Sequence, residues 1–389
     1  VEGRFRSGFV EHAYIEPEAG YAEVIDGRVV IHTCTQAPVM DKEAMADILG
    51  MALDRVRIVP TGVGGGFGAK LDLSVHPYLA LAALKTGQPV RLTYSRTESM
   101  QSTTKRHPGE MHVRIGATRD GRICGMTFDG LFNTGAYASW GPTVATRVPV
   151  HASGPYVIAD YRADAKGIHT HCPPSGAFRG FGVPQAAIAQ ESLFDELAHL
   201  LRIDPLEFRI RNALQNGDRT VCGQVFEQGV GIKACFEALR AAWKTERAAA
   251  ALVNAQDTAI RRGVGVAGGW YGCGNTSLPN PSTIKAGVRA DGQVVLHQGA
   301  ADIGQGANTV IAQIFASALG VPTTSLRLIG GDTDVTPDAG KTSASRQTFV
   351  TGNAAKRAGE ALRKTILAQV NAGEAATILV AQGEIHIAD

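Results

Sequence analysis

The chain has 389 residues, 44% of them apolar, and a formal charge of +2 at neutral pH. That length holds two domains or one large one, and that apolar share is enough for a buried core. A near-neutral balance with scattered basic residues argues against nucleic acid and anionic membrane as partners, and no stretch reaches the roughly 18 consecutive apolar residues of a membrane helix.

The chain opens on "VEGRFRSGFVEHAY", without a methionine or a signal-peptide pattern. Asp26-Gly27 then leads into the strand "RVVIHT", a helix is expected over about Lys42 to Leu53, and the strand "RVRIVP" runs into "TGVGGGFGAK", Thr61 to Lys70. Glycine runs bring backbone N–H groups close to anions. The phosphate-loop spacing fails here, because Ala69 separates Gly68 from Lys70 and Leu71 follows. The looser dinucleotide form, met by Gly64, Gly66 and Ala69, lacks its acid, since none lies between Asp72 and Glu98. A plain strand-to-helix turn remains open for this stretch.

Further on, "MHVRIGA" and "MTFDGLF" flank a hairpin turn at Asp120-Gly121. Pro184 to Leu214 turns helical, with Pro205 starting a second helix, and Ala234 to Val253 is another. Just ahead of the first of these, "PPSGAFRGFGVPQ" places Arg179 among glycines, suited to an anionic oxygen or to a purely structural loop. Residues 254–262 read as a linker. Asp291-Gly292 then restarts the earlier pattern: "QVVLHQ", a helix over about Asn308 to Leu319, and "SLRLIG" with "GDTD". This is an internal strand-helix-strand duplication whose loops leave strand ends, where α/β proteins place ligands. "ADIGQGANT" sets Gln305 between glycines ahead of the second-copy helix. Thr342, Ser343, Ser345 and Thr348 precede a helix expected from about Gly352, a candidate anion pocket or a self-capping surface loop. The closing "QGEIHIAD" reads as a hairpin strand cut before its partner, so a fragment or one piece of a larger assembly is expected. Six cysteines, Cys34, Cys124, Cys172, Cys222, Cys235 and Cys273, have no ligand spacing; they argue against zinc or iron–sulfur sites built by the chain alone and fit a reduced, cytoplasmic compartment.

Four glycine- or serine-rich loops spread from residue 62 to 348 suit a large polar cofactor contacted by backbone and amides. In their order they resemble those of the molybdenum-binding subunit of the xanthine dehydrogenase and aldehyde oxidase family. "FVEHAYIEP", "GGGFGAK", "GAFRGFGVPQ", "DIGQG" and "KTSASRQT" each match a stretch of that family, over nearly the whole chain. The resemblance implies an α+β fold, a large multi-lobed cofactor-binding domain with lobes at 1–253 and 254–389 and the cofactor in the cleft between them. The cofactor implied is a molybdenum-pyranopterin, molybdopterin or its cytosine dinucleotide form. It places Gly66, Phe67 and Gly68 against the metal's ligands, Arg179 at the metal centre as the catalytic candidate, Gly304 and Gln305 at the pterin, and Ala344, Ser345 and Gln347 along the cofactor, with Phe67, Arg179 and Ala344 nearest the metal. For substrate it points to Phe178 and Phe181 sandwiching a planar ring, to Leu71 and Arg147 where purine-oxidising members place an acid and an arginine, and to Asn275 and Thr276.

Three departures qualify it. Leu71 cannot accept a purine N–H, so a less polar or differently decorated ring is expected. Val10 stands where purine-oxidising members commonly carry a glutamine that donates to an oxo group. No Gly-x-Gly-Glu follows the last loop, so the family's general base must come from outside this chain, on a further molybdenum-lobe segment. Iron–sulfur centres and any flavin (FAD) must likewise sit on partner chains or domains. The expectation is therefore the cofactor portion of a multi-subunit molybdenum hydroxylase acting on an N-heteroaromatic C–H, purine- or nicotinate-like. An aldehyde-oxidising member and a cofactor-free structural fragment are the rivals.

Overall fold

The computed structural model describes all residues except 257, 275–278, 382 and 389. The N-terminal elements are β1 (Glu2–Ser7), β2 (Ala19–Ile25), β3 (Arg28–Thr33), α1 (Pro38–Leu49), β4 (Val56–Pro60), α2 (His76–Thr86), β5 (Val90–Thr93) and α3 (Arg96–Ser102). The middle of the chain forms β6 (Gly109–Ala117), β7 (Ile123–Gly135), α4 (Gly141–His151), β8 (Asp160–His169), α5 (Val183–Leu201), α6 (Pro205–Asn212), α7 (Ile232–Ala238) and α8 (Arg240–Asn254). It ends with β9 (Ile284–Val288), β10 (Val294–Gln298), α9 (Ala307–Leu319), β11 (Leu326–Gly330), α10 (Gln347–Gln369), β12 (Thr377–Ala381) and β13 (Glu384–Ala388). Among the described residues no helix is long and apolar enough to cross a membrane.

One connectivity occurs three times: an antiparallel hairpin, a helix, and a third strand parallel to the hairpin's second. It is β2-β3-α1-β4, then β6-β7-α4-β8, then β9-β10-α9-β11. An Asp-Gly pair turns each hairpin. Asp26 and Gly27 both take positive φ, which a two-residue hairpin turn of matching twist requires. At Gly121 and Gly292 only the glycine does, closing slightly longer turns. The sequence shows the first and third copies; the second hides because its strands lack the "D-G-x-V-V" start. In every copy the loop after the third strand runs into a helix, α2, α5 or α10, and these three loops are the glycine- and serine-rich stretches at 61–68, 170–182 and 331–346.

The chain forms two compact units. One joins Val1–Val10 to Lys105–Tyr271; the other joins Glu11–Thr104 to Gly272–Asp389. This spatial division is a different cut from the linear one at 253/254, because the first and third copies belong to the same unit. There the Thr333 N–H donates to the Ile58 carbonyl (3.1 Å) and the Ile58 N–H to the Thr333 hydroxyl (3.0 Å), tying the start of the loop after β11 to the edge strand β4. Sheet β4-β3-β2-β5 and sheet β11-β10-β9 each have a core of their own, around Ile31, Met45 and Ile58 and around Leu296, Ile311 and Phe315. In the first unit, sheet β1-β6-β7-β8 packs one face on α5 and α6 through Phe128, Phe132, Phe194 and Phe208.

Several boundaries differ from expectation for local reasons. Helix α1 starts at Pro38 and stops at Gly50, which adopts the left-handed cap (φ 62°), rather than running from Lys42 to Leu53. The expected helix at 234–253 is two, α7 and α8. Helix α10 starts at Gln347, not Gly352, so Thr348 lies in its first turn. The strand in "QGEIHIAD" has its partner before it in the chain: β13 pairs antiparallel with β12.

Candidate cofactor site

In the unit of residues 11–104 and 272–388 the candidate loops are stitched together reciprocally. The loop after β4 donates the Gly65 N–H to the Ile303 carbonyl (3.1 Å), ahead of α9. The loop after β11 donates the Thr342 N–H to the Gln36 carbonyl (2.8 Å), ahead of α1. The Thr342 hydroxyl also reaches the Ala301 carbonyl (2.7 Å). Gln347, buried, donates to the Thr342 hydroxyl (3.1 Å) and so locks the start of α10 to this loop. Buried Arg346 holds the other flank, donating to Asn280 Oδ1 (2.7 Å) and to the carbonyls of Pro281 and Ala339.

The glycines of the opening loop answer to close approaches. A Cβ on Gly66 would stand 2.4 Å from Gln36 Oε1, and Gly65 and Gly68 take φ of 95° and 115°. Lys70 turns inward: its buried ammonium donates to the Glu16 carboxylate (2.7 Å) and carbonyl (3.0 Å) and lies 4.6 Å from the Tyr14 ring centroid. It braces the loop from behind.

Nine non-glycine residues among those described take positive φ, and four of them fall in the candidate loops: Phe67, Phe181, Ala344 and Ser345. Such conformations cost about 1–2 kcal/mol each, and they persist where surrounding bonds over-determine them. At 343–345 those bonds are visible. The three carbonyls accept from Arg346 N–H, Gly274 N–H (2.7 Å) and the Cys273 thiol (3.3 Å). Among the described residues their three N–H groups have no acceptor, and the first turn of α10 follows. That is a cradle for an acceptor-rich, partly anionic group, which a pterin with its carbonyl and phosphate fits.

The Gln305 side chain folds back on its own loop. Its Oε1 accepts from the Ile303 N–H (2.7 Å), and its amide nitrogen is 3.4 Å from the Ala301 carbonyl. The N–H groups of Gly304, Gly306 and Asn308 all donate to Asp302, so the start of α9 already holds a carboxylate. Gly304 and Gln305 are exposed, whereas Leu71 is 2% exposed and offers almost no surface to a ligand. Asn275 and Thr276 lie outside the described residues. Among the described residues no group of three or more His, Cys, Asp or Glu side chains converges on a metal position.

The other unit carries the "AFRGFG" loop. Arg106 clamps it, with its guanidinium 3.9 Å from the Phe178 ring centroid and donating to the carbonyls of Phe178 (3.3 Å) and Arg179 (2.7 Å). Burial, then the neighbouring Arg179 charge, brings the Arg106 pKa down to about 10. Gly180 and Gly182 take positive φ on either side of Phe181, and Arg179 is exposed. Phe181 meets Trp140 edge-on (6.2 Å) and lies 6.0 Å from the Arg147 guanidinium, which is also 5.1 Å from the Tyr271 ring; His151 stacks on Tyr271. The Arg147 Nη1 is buried without a hydrogen-bond partner. The structure thus gathers Arg179, Phe178 and Phe181 on one loop and brings Arg147 to Phe181. Sequence reasoning missed Gln36, Arg106, Arg346 and Tyr271. Only Gln36 left a trace, as a polar residue between an apolar strand and the Pro38 helix start.

Two distinct molybdopterin cofactor-binding domain families match the chain, one over residues 1–213 and the other over residues 237–388. The chain belongs to the molybdopterin cofactor-binding family. The resemblance read from the five motifs is thereby confirmed, and with it the α+β architecture. The large molybdopterin subunit of nicotinate dehydrogenase from Eubacterium barkeri is 44% identical over 241 residues, 62% of this chain and 57% of that protein. The xanthine dehydrogenase molybdenum-binding subunit of Escherichia coli O157:H7 is 36% identical over 95% of this chain and 49% of its own length. Among solved structures, the aldehyde oxidoreductase of Desulfovibrio gigas superposes with a TM-score of 0.88 at 31% identity, covering 100% of this chain and 45% of that one. The chain spans about half the length of the family members it matches.

Proposed function

We propose that the chain is the cofactor-holding portion of a molybdenum hydroxylase that oxidises a C–H of an N-heteroaromatic ring, purine- or nicotinate-like, with water as the oxygen source. The observation that carries the ring specificity is the cluster at Arg147: a guanidinium flanked by Phe181 and Tyr271, with one buried N–H group left without a protein acceptor. Such a group would receive a ring nitrogen, carbonyl or carboxylate while Phe178 and Phe181 hold the ring by its faces. The name and 44% identity of the Eubacterium barkeri relative support this reading.

When bound, the cofactor supplies Lewis-acid activation of water and a two-electron sink. Ser343 to Ser345, Gly66, Gly68, Gly304, Gln305 and Gln347 would hold the pterin and its phosphate, with Phe67 and Ala344 closest to the metal. Arg179 would stabilise negative charge on the reacting oxygen and is the catalytic candidate of this chain. The substrate carbon loses two electrons, which leave through iron–sulfur and flavin groups carried elsewhere; water gives the oxygen and two protons are released. The carboxylates of Asp302 and Glu16 are committed to loop N–H groups and to Lys70, so neither is placed to take a proton. We assign that task to a glutamate outside this chain.

The test is the native assembly with every co-purifying chain retained, analysed for molybdenum by mass spectrometry and assayed on nicotinate, purines and aldehydes. Stoichiometric molybdenum with turnover of the ring substrates is expected. Turnover of aldehydes alone would move the chain to the aldehyde-oxidising reading, and a folded, complete assembly without molybdenum would leave only a structural role.

A further inference from the structure

We infer that Gln36 is a positioning residue that sets the two cofactor loops of its unit against each other, and that cofactor retention depends on it. This rests on the reading that those loops hold the pterin. Gln36 is 2% exposed and makes four hydrogen bonds. Its Oε1 accepts from the Gly68 N–H (2.9 Å) and its Nε2 donates to the Thr342 carbonyl (2.7 Å). Its backbone N–H donates to the Lys70 carbonyl and its carbonyl accepts from the Thr342 N–H, each at 2.8 Å. One residue therefore satisfies peptide groups at the end of the glycine loop and immediately before the Ser343–Ser345 cradle, segments nearly three hundred residues apart in sequence.

The chemistry fits glutamine alone. One end of the side chain must accept and the other donate; glutamate would set a charge against the Thr342 carbonyl, methionine would satisfy neither group, and asparagine is one methylene short. Gly66 answers to the same contact, since a Cβ there would collide with the Gln36 amide. The backbone of Gln36 is itself fixed from behind, where the Thr35 hydroxyl bonds buried Asp41 and accepts from the Ala37 N–H (2.8 Å). The preceding strand and following helix make this the pre-helix loop of the first copy, the counterpart of the Ala301 to Gly306 stretch in the third.

The experiment compares wild type, Gln36→Met and Gln36→Glu in the native assembly, reading molybdenum and pterin content after gel filtration, the Mo(V) electron paramagnetic resonance signal and the melting temperature. At least a tenfold loss of cofactor content in both variants, or an altered Mo(V) signal in the loaded fraction, is expected. Wild-type content with an unchanged signal would overturn the assignment, even if melting were lowered. Amide hydrogen exchange of Gly68 and Thr342 in the wild-type assembly gives an answer independent of how the variants fold: protection of both supports the staple, and open-loop exchange rates refute it. Wild type without pterin would defeat the functional reading, while the exchange measurement would still judge the staple.

Discussion

Arg106 shows how much of a loop one side chain can determine. Its guanidinium covers the Phe178 ring and holds two successive carbonyls, so the direction in which Arg179 leaves the backbone follows from it. Hydrogen bonds from a charged donor are worth about 1.5–3 kcal/mol, and displacement of a catalytic group by about 1 Å can cost on the order of a hundredfold in rate. Arg106→Met in the native assembly is therefore expected to lower kcat by roughly 10- to 100-fold and to lower the melting temperature as those two bonds are lost, measured by steady-state kinetics beside calorimetry. Arg179→Ala should lose at least as much turnover, because the exposed side chain is removed while its clamp stays. Retained activity in Arg179→Ala would take that arginine out of the site.

At the scale of elements, the repeated hairpin-helix-strand places a loop and then a helix start in the same topological position three times. How firmly each loop is held depends on how closely its helix is seated. Helix α10 rests on α9 through glycines: a Cβ on Gly359 would stand 2.7 Å from the Phe315 carbonyl and 2.8 Å from Ala318 Cβ, and one on Gly352 2.8 Å from Ile314. Gly359→Val should push α10 outward at a cost of about 1–3 kcal/mol, seen as a lower urea midpoint. It should also loosen Gln347 from Thr342 and so weaken cofactor retention. The elements legible in the sequence were those with local punctuation, such as the Asp-Gly turns and the strands "RVVIHT" and "QVVLHQ". β8 and α4 were not, because an edge strand of alternating charge and a helix with Pro149 inside carry little of the usual periodic signal. The α10 start escaped because no side chain caps it; Thr342 and Gln347 reach each other only once the loop is folded.

For the molecule as a whole, each unit has its own core, and the buried polar groups in those cores couple stability to pH. Burial, with the Arg106 charge beside it, depresses the His107 pKa from 6.5 to about 4. Between those values the unfolded chain binds a proton that the folded one does not. The stability this neutral histidine confers is thus complete above about pH 6.5 and is lost as pH falls toward 4, by on the order of 3 kcal/mol. Urea titrations at neutral and acid pH should show that loss in wild type, and a flatter dependence in His107→Gln.

The sequence by itself determined the first and third copies, the turn chemistry and the five motifs, because each is written in residues close along the chain: apolar periodicity, Asp-Gly pairs, glycines where no Cβ fits. The family membership followed from the same local stretches. Only the tertiary structure decided that the first and third copies share a unit, that Lys70 faces inward, and that Asp302 already occupies the start of α9. The same holds for Gln36, Arg106 and Arg346, the residues that hold the loops. Their partners lie far away in sequence or are backbone carbonyls and N–H groups, which every residue carries and no sequence pattern distinguishes.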